Sequence, residues 1–346
     1  MKNILDFIRQ GTSHRCHSVF CRKFAWYRQL HEKDGGYAPI HWSTELAFCI
    51  GMLTAIFSIF CIGGVVIQSV NADSSSTSVS VTNAIPIASS ASVNAGAGSM
   101  TLTENTTTAV TCTATVTDNN GCEDITTGSA VFYRTNVGSG SGCSGDSNNC
   151  YSAIPCNVDG GSCTGGGSDL TATYTCTNLI QYYADPTDAG STYEATDWTC
   201  EVTPIDLAGN GTADTDVIEM DTLTALNVTS TIAYGSVALS GNTGVTNQTT
   251  VVTNTGNEEI DAQISGTIMT CTIGIINAVS QKYDTSDVTY ASLANSLTGS
   301  PETLTLTLPQ STGVAVTDDI FWGLTMPATG VGGSCSGTNT FTAVSG

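Results

Sequence analysis

The sequence predicts an all-β ectodomain, two β-sandwiches carried behind a single N-terminal membrane helix. Three observations carry this expectation. An uncharged apolar run divides a basic leader from an acidic remainder. Ten of the 14 cysteines lie on the acidic side of that run. The acidic side alternates polar and apolar residues with period two between Gly, Asn and Asp turns, and shows no capped 3.6-residue periodicity.

The chain has 346 residues, which allows two or three domains. Charged residues make up 11% of it, well below the roughly 25% of an average soluble domain. The formal net charge of −21 argues against nucleic acid as a partner, because phosphate neutralisation needs a basic surface.

Residues 1–45 read as a basic cytoplasmic leader. Seven of the nine basic residues lie there: Lys2, Arg9, Arg15, Arg22, Lys23, Arg28 and Lys33. Its stretch VFCRKFAWYRQ reads as a juxtamembrane segment on an anionic leaflet. Residues 46–67 (LAFCIGMLTAIFSIFCIGGVVI) carry no charge and are long enough to span a bilayer as a helix or to act as a signal h-region. The charge switch orients the N-terminus inward and the remainder outward. The membrane is therefore an expected partner, through one span. Val70-Asn71-Ala72 before Asp73 fits signal-peptidase cleavage after Ala72, and a retained signal-anchor fits equally. Either way residues 73–346 face outside, at the cell surface or released from it.

Cysteine usage agrees with export. Cys112, Cys122, Cys143, Cys150, Cys156, Cys163, Cys176, Cys200, Cys271 and Cys335 form an even set that reads as up to five disulfides. Eight fall within residues 112–200, so Cys271 pairs with Cys335 by exclusion. The connectivity among the eight is open. Zinc is disfavoured, since residues 73–346 hold no CxxC pair and no histidine.

Residues 73–99, rich in Ser, Ala and Asn, read as a flexible stalk, within which SVSVTNAIPI (78–87) alternates like a strand. Residues 100–222 read as a Cys-rich β-sandwich. Its strands are expected over 110–116, 130–135, 170–184, 198–205 and 216–220. A Gly-rich insertion at 136–169 is held by its own cysteines. Residues 223–346 read as a second sandwich, with strands over 225–232, 249–253, 260–269, 303–308, 320–326 and 338–344 and turns such as 254–257 between them.

The segments VTCTATVTDNNG (110–121) and WTCEVTPIDLAGN (198–210) resemble the second and sixth strands of a bacterial immunoglobulin-like domain with their following loops. TTVVTNTGNEEIDAQISG (249–266) is similar to the start of related modules. The leader, stalk and tandem resemble exported bacterial surface proteins. The resemblance implies two immunoglobulin-like sandwiches over roughly residues 100–346. It also implies that Cys112 and Cys200 face each other across the sheets of the first one, with Trp198 two residues before the second cysteine.

Catalysis has little to work with. His14, His17, His31 and His41 all precede the apolar run, so no Ser-His-Asp or Cys-His site exists beyond it. Only carboxylate chemistry remains, and the chain is read as no enzyme. Calcium is a candidate cofactor: Asp118, Asn120, Glu123 and Asp124 follow one expected strand, and Asp206 and Asn210 follow its expected neighbour. Two adjacent loops rich in oxygen ligands suit this ion. The same residues also serve as ordinary turn formers. Met326–Gly330 (MPATG) looks like a sorting signal, but no apolar span and basic tail follow it.

The function expected is adhesion or envelope structure, through loops and edge strands, with Tyr151, Tyr182 and Tyr183 as candidate contact residues for a surface protein or glycan. Two alternatives stay open: a self-associating filament or surface-layer subunit, and a glycan-binding accessory module.

Overall fold

A computed structural model describes residues 74–346. They fold as an all-β protein. The leader, the apolar run at 46–67 and the cleavage site after Ala72 lie outside the described residues. The expected membrane partner is corrected here: among the described residues, no helix is long and apolar enough to cross a membrane.

The first module contains β1 (Ile87–Val93), β2 (Ser99–Met100), β3 (Thr107–Thr117), β4 (Ile125–Arg134), β5 (Cys150–Val158), β6 (Thr171–Gln181), β7 (Trp198–Asp206) and β8 (Asp214–Met220). They run in the order β1-β3-β6-β5-β4-β7-β8-β2. The sheet nearly closes on itself. β1 pairs with β3 on one side, and on the other Ile87 bridges Thr212 in parallel. The backbone N–H groups of Ala91 and Val93 donate to the carboxylates of Asp214 and Asp216.

Period-two alternation sets the inner face. Along β3, Val110, Cys112, Ala114 and Val116 point inward while Thr111, Thr113 and Thr115 stay half-exposed. Trp198, Cys200 and Val202 do the same on β7. Phe132 stacks on Trp198 with ring centroids 4.9 Å apart, which fills the centre of this core. Gly128 lies on the face of Tyr174, so any side chain there would overlap the ring.

Two local expectations change. Residues 87–99, expected in the stalk, belong to the first module through β1 and β2. The 136–169 insertion is not all loop, because β5 bridges β4 and β6 inside it. The glycines and cysteines on either side of it hide its alternation, although its partners are the strands next to it in sequence.

Five disulfides staple the fold: Cys112–Cys200, Cys122–Cys163, Cys143–Cys150, Cys156–Cys176 and Cys271–Cys335. They mark an oxidising, extracellular compartment. Cys112–Cys200 joins β3 to β7, which are not hydrogen-bonded neighbours, and so ties opposite walls of the module together.

The second module contains β9 (Leu226–Val228), β10 (Gln248–Asn254), β11 (Ile260–Gly266), β12 (Met269–Ile273), β13 (Ile275–Ile276), β14 (Gln281–Asp284), β15 (Asn295–Ser296), β16 (Glu302–Leu308), β17 (Thr317–Leu324), β18 (Gly332–Ser336) and β19 (Asn339–Ser345). A five-stranded sheet, β15-β14-β17-β10-β9, and a three-stranded sheet, β16-β11-β19, share one core. The first contributes Val252, Tyr283, Ile320 and Trp322, and the second Ile260, Ile264 and Leu304. A third small sheet, β13-β12-β18, carries Cys271–Cys335.

Candidate functional site

Three places in the described residues concentrate polar chemistry: an acidic pole on the first module, the junction between the modules, and a cavity in the second.

The acidic pole is built by the loops after β3 and β7. Asp118 ends one strand wall and Asp206 the other. Each accepts hydrogen bonds from its own loop: Asn120 N–H to Asp118 Oδ1, and the N–H groups of Ala208 and Gly209 to Asp206 Oδ1. These Asx-type bonds are what the turn-former reading of the residues anticipates. The fold then brings Asp124 beside them. One carboxylate oxygen of each of Asp118, Asp124 and Asp206 lies within 4.8 Å of the other two.

Asp118 is fully buried and Asp206 is 5% exposed. Anywhere within that limit, two ionised carboxylates repel by at least about 3 kcal/mol at an effective dielectric of about 20. The remaining carboxylate candidate, Glu123, does not join the three. Asn120 Oδ1 accepts the N–H of Ala84, Glu123 packs beside Gly165, and Asn210 is exposed.

The junction went unrecognised in the sequence, where 254–257 reads only as a turn. Asn254, Thr255 and Asn257 are all buried. Asn257 Nδ2 donates to the carbonyls of Ala184 (3.0 Å) and Asp221 (3.2 Å), and its Oδ1 accepts the N–H of Leu223 (2.7 Å). A Cβ at Gly256 would collide with the Leu223 carbonyl, so glycine is required for the close approach. Alongside, Asn148 donates to the carbonyls of Tyr183 and Ser311, and Gln310 donates to Tyr183 and Asp185. Asp185 also takes the Arg134 guanidinium at 2.9 Å, with both side chains largely buried. Burial raises the Asp185 carboxyl above its ordinary value, an effect that the Arg134 contact opposes. In the sequence the only trace of this is that Arg134 and Lys282 are the sole Lys or Arg residues beyond residue 33, which places neither of them.

Of the three tyrosines, Tyr151 requires a correction. Tyr151 is buried; its hydroxyl donates to the Ser147 carbonyl and accepts the N–H of Gln181, and its ring packs near Trp198. It is a core residue and offers no contact surface. Burial accordingly raises its phenol. Tyr182 and Tyr183 are half-buried and pack edge to face beside the junction.

The cavity, about 380 Å³, opens between β9, β18 and β19. Its wall carries Thr229, Ser230, Tyr234, Gln281, Asn339 and Phe341 and no charged side chain. Gln281 is 3% exposed, and its Oε1 accepts the Tyr234 hydroxyl (3.0 Å) and Asn339 Nδ2 (3.2 Å). Its Nε2 has no hydrogen-bond partner among the described residues.

No family model matches this chain, and no curated protein matches it. Among solved structures it is similar to the secreted serine protease VesC from Vibrio cholerae, at 9% identity and a TM-score of 0.18. That match covers 71% of this chain and 49% of the protease, so the chain spans about half its length. It is also similar to a chain described as BspA_C_mut, at 9% identity, 76% and 95% coverage and a TM-score of 0.20. Likeness this distant carries no argument about fold or function.

Proposed function

We propose that the chain is an exported, non-enzymatic adhesion or envelope-structural protein, made of two immunoglobulin-like sandwiches that bind through loops and edge strands. The observation that carries this reading is the buried junction at 254–257, which locks both modules into one compact unit, Ser80–Gly346. A fixed tandem holds a contact surface at a set distance and transmits load, as adhesion requires. The immunoglobulin-like reading of the first module draws support from Cys112–Cys200, which crosses the core between β3 and β7, strands that are not neighbours in its one continuous sheet. In the second module β16 and β19 each border one strand only, which suits strand addition. The test is retention under flow of beads coated with the full chain on cells and envelope fragments of the producing organism. Retention that is lost in the junction variant Asn257→Ala is expected. Beads that bind no surface better than uncoated beads refute the proposal.

A second reading, a glycan-binding module, is favoured by the cavity. An uncharged wall of hydroxyls, amides and two aromatic rings, with an unpartnered amide donor, suits a neutral saccharide. Titration with neutral oligosaccharides tests it, with Asn339→Ala expected to weaken any binding. An unaltered affinity in that variant removes the cavity from consideration.

A further inference from the structure

We propose that Asp118, Asp124 and Asp206 form a calcium site that fastens the segment entering β1 onto the first module. Three separate observations converge on it.

The first is geometric. Calcium holds oxygen ligands at about 2.3–2.6 Å, so oxygens on one coordination sphere lie no more than roughly 5 Å apart. The three carboxylate oxygens, mutually within 4.8 Å, meet that limit. Octahedral magnesium, with oxygens at about 2.0–2.1 Å, demands a tighter cluster.

The second is an unpartnered group. Asp118 is wholly buried, and its Oδ2 has no hydrogen-bond donor among the described residues. Its other oxygen is taken by Asn120 N–H, so the free one is left for a ligand at the cluster. A buried carboxylate oxygen without a protein donor is satisfied by a bound cation or a water.

The third is that, among the described residues, no basic side chain supplies the charge. Beyond residue 33 the chain has two basic residues, Arg134 and Lys282. Arg134 is engaged by Asp185, and Lys282 Nζ donates to the Leu293 carbonyl of the second module. Nor does the sequence offer nitrogen or free thiolate ligands here: residues 73–346 contain no histidine, and Cys122 and Cys163 nearby are bonded to each other. An all-oxygen donor set selects a hard cation.

The site has a structural consequence. Asn83 Nδ2 donates to Asp206 Oδ2 (3.1 Å) and the N–H of Ala84 donates to Asn120 Oδ1 (2.6 Å). Both loops of the pole therefore hold the residues just before β1. Drawing the loops together with calcium tightens both contacts, at Asn83 and at Ala84.

The experiment uses the full chain, stripped with chelator and titrated with calcium chloride by calorimetry, with thermal unfolding followed in parallel. One calcium per chain is expected, with a dissociation constant between about 10⁻⁵ and 10⁻³ M, from the weak limit of sensor sites to that of extracellular modules. The first unfolding transition rises with calcium by mass action. Hydrogen exchange at Ala84 slows on addition of the ion. Asp124→Asn, at a half-exposed position, weakens binding at least tenfold while leaving the transition measured in chelator unchanged or raised, because it removes one repelling charge. The proposal is overturned if 10 mM calcium shifts neither heat nor transition, if magnesium acts equally at equal concentration, or if Asp124→Asn responds like the parent chain. Calcium binding without any change at Ala84 overturns the fastening of the segment.

Discussion

Replacing Asn257 with alanine isolates the junction between the modules. The side chain is fully buried and makes three hydrogen bonds, two donated from Nδ2 and one accepted at Oδ1. Truncation leaves the Ala184 and Asp221 carbonyls and the Leu223 N–H without this partner. A net hydrogen bond is worth about 0.5–1.5 kcal/mol, and a buried orphan costs about 1–3 kcal/mol. Three bonds lost together, with water reaching part of the gap, give about 2–4 kcal/mol. For a body of this size that is roughly 2–4 °C per kcal/mol at the affected transition. The assay is differential scanning calorimetry with urea unfolding. We expect the modules to melt less cooperatively, the weaker one lower by about 5–15 °C. Asn242→Ala is the control: its Oδ1 also accepts a backbone N–H, that of Gly244, but in an exposed turn, so its cost stays within about 0.5 kcal/mol. A junction variant that melts like the control refutes the claim that these bonds join the modules.

Tyr151→Phe removes the hydroxyl that links Ser147 and Gln181, and is expected to cost about 1–2 kcal/mol in urea unfolding while leaving surface retention unchanged. Lost retention at unchanged stability would restore Tyr151 as a contact residue. The disulfides differ in the loop they close. Replacing Cys112–Cys200, with a separation of 88, by alanines costs about 4–5 kcal/mol, and replacing Cys143–Cys150, with a separation of 7, about 2 kcal/mol; equal losses by chemical denaturation would contradict the chain-entropy account. Asp185 has a folded value above its ordinary 3.8, so its contribution to stability is fully present below that pH and is lost as pH rises through the raised value. Asp185→Asn therefore flattens this acid-side part of a stability-against-pH profile, and a profile of unaltered shape would show that the group does not titrate as described.

The all-β class, the strand-rich alternation of both modules and the export chemistry of the cysteines were legible in the sequence. Alternation and turn residues act locally: Val110, Cys112, Ala114 and Val116 must share a face whatever they pack against. Composition alone also removed histidine chemistry from residues 73–346. The acidic pole was half legible. Both loops were identified, but of the four named carboxylates only Asp118, Asp124 and Asp206 converge, because the direction of a loop side chain is set by neighbours such as Gly165 beside Glu123 rather than by its own position in the chain. Tertiary structure alone decided the rest. It buried Tyr151, drew residues 87–93 into the sheet, and placed β5 within a glycine-rich stretch. It also turned 254–257 from a surface turn into the contact between modules. Each of these depends on partners tens to more than a hundred residues away, and pairing at that distance leaves no periodicity for a single sequence to display.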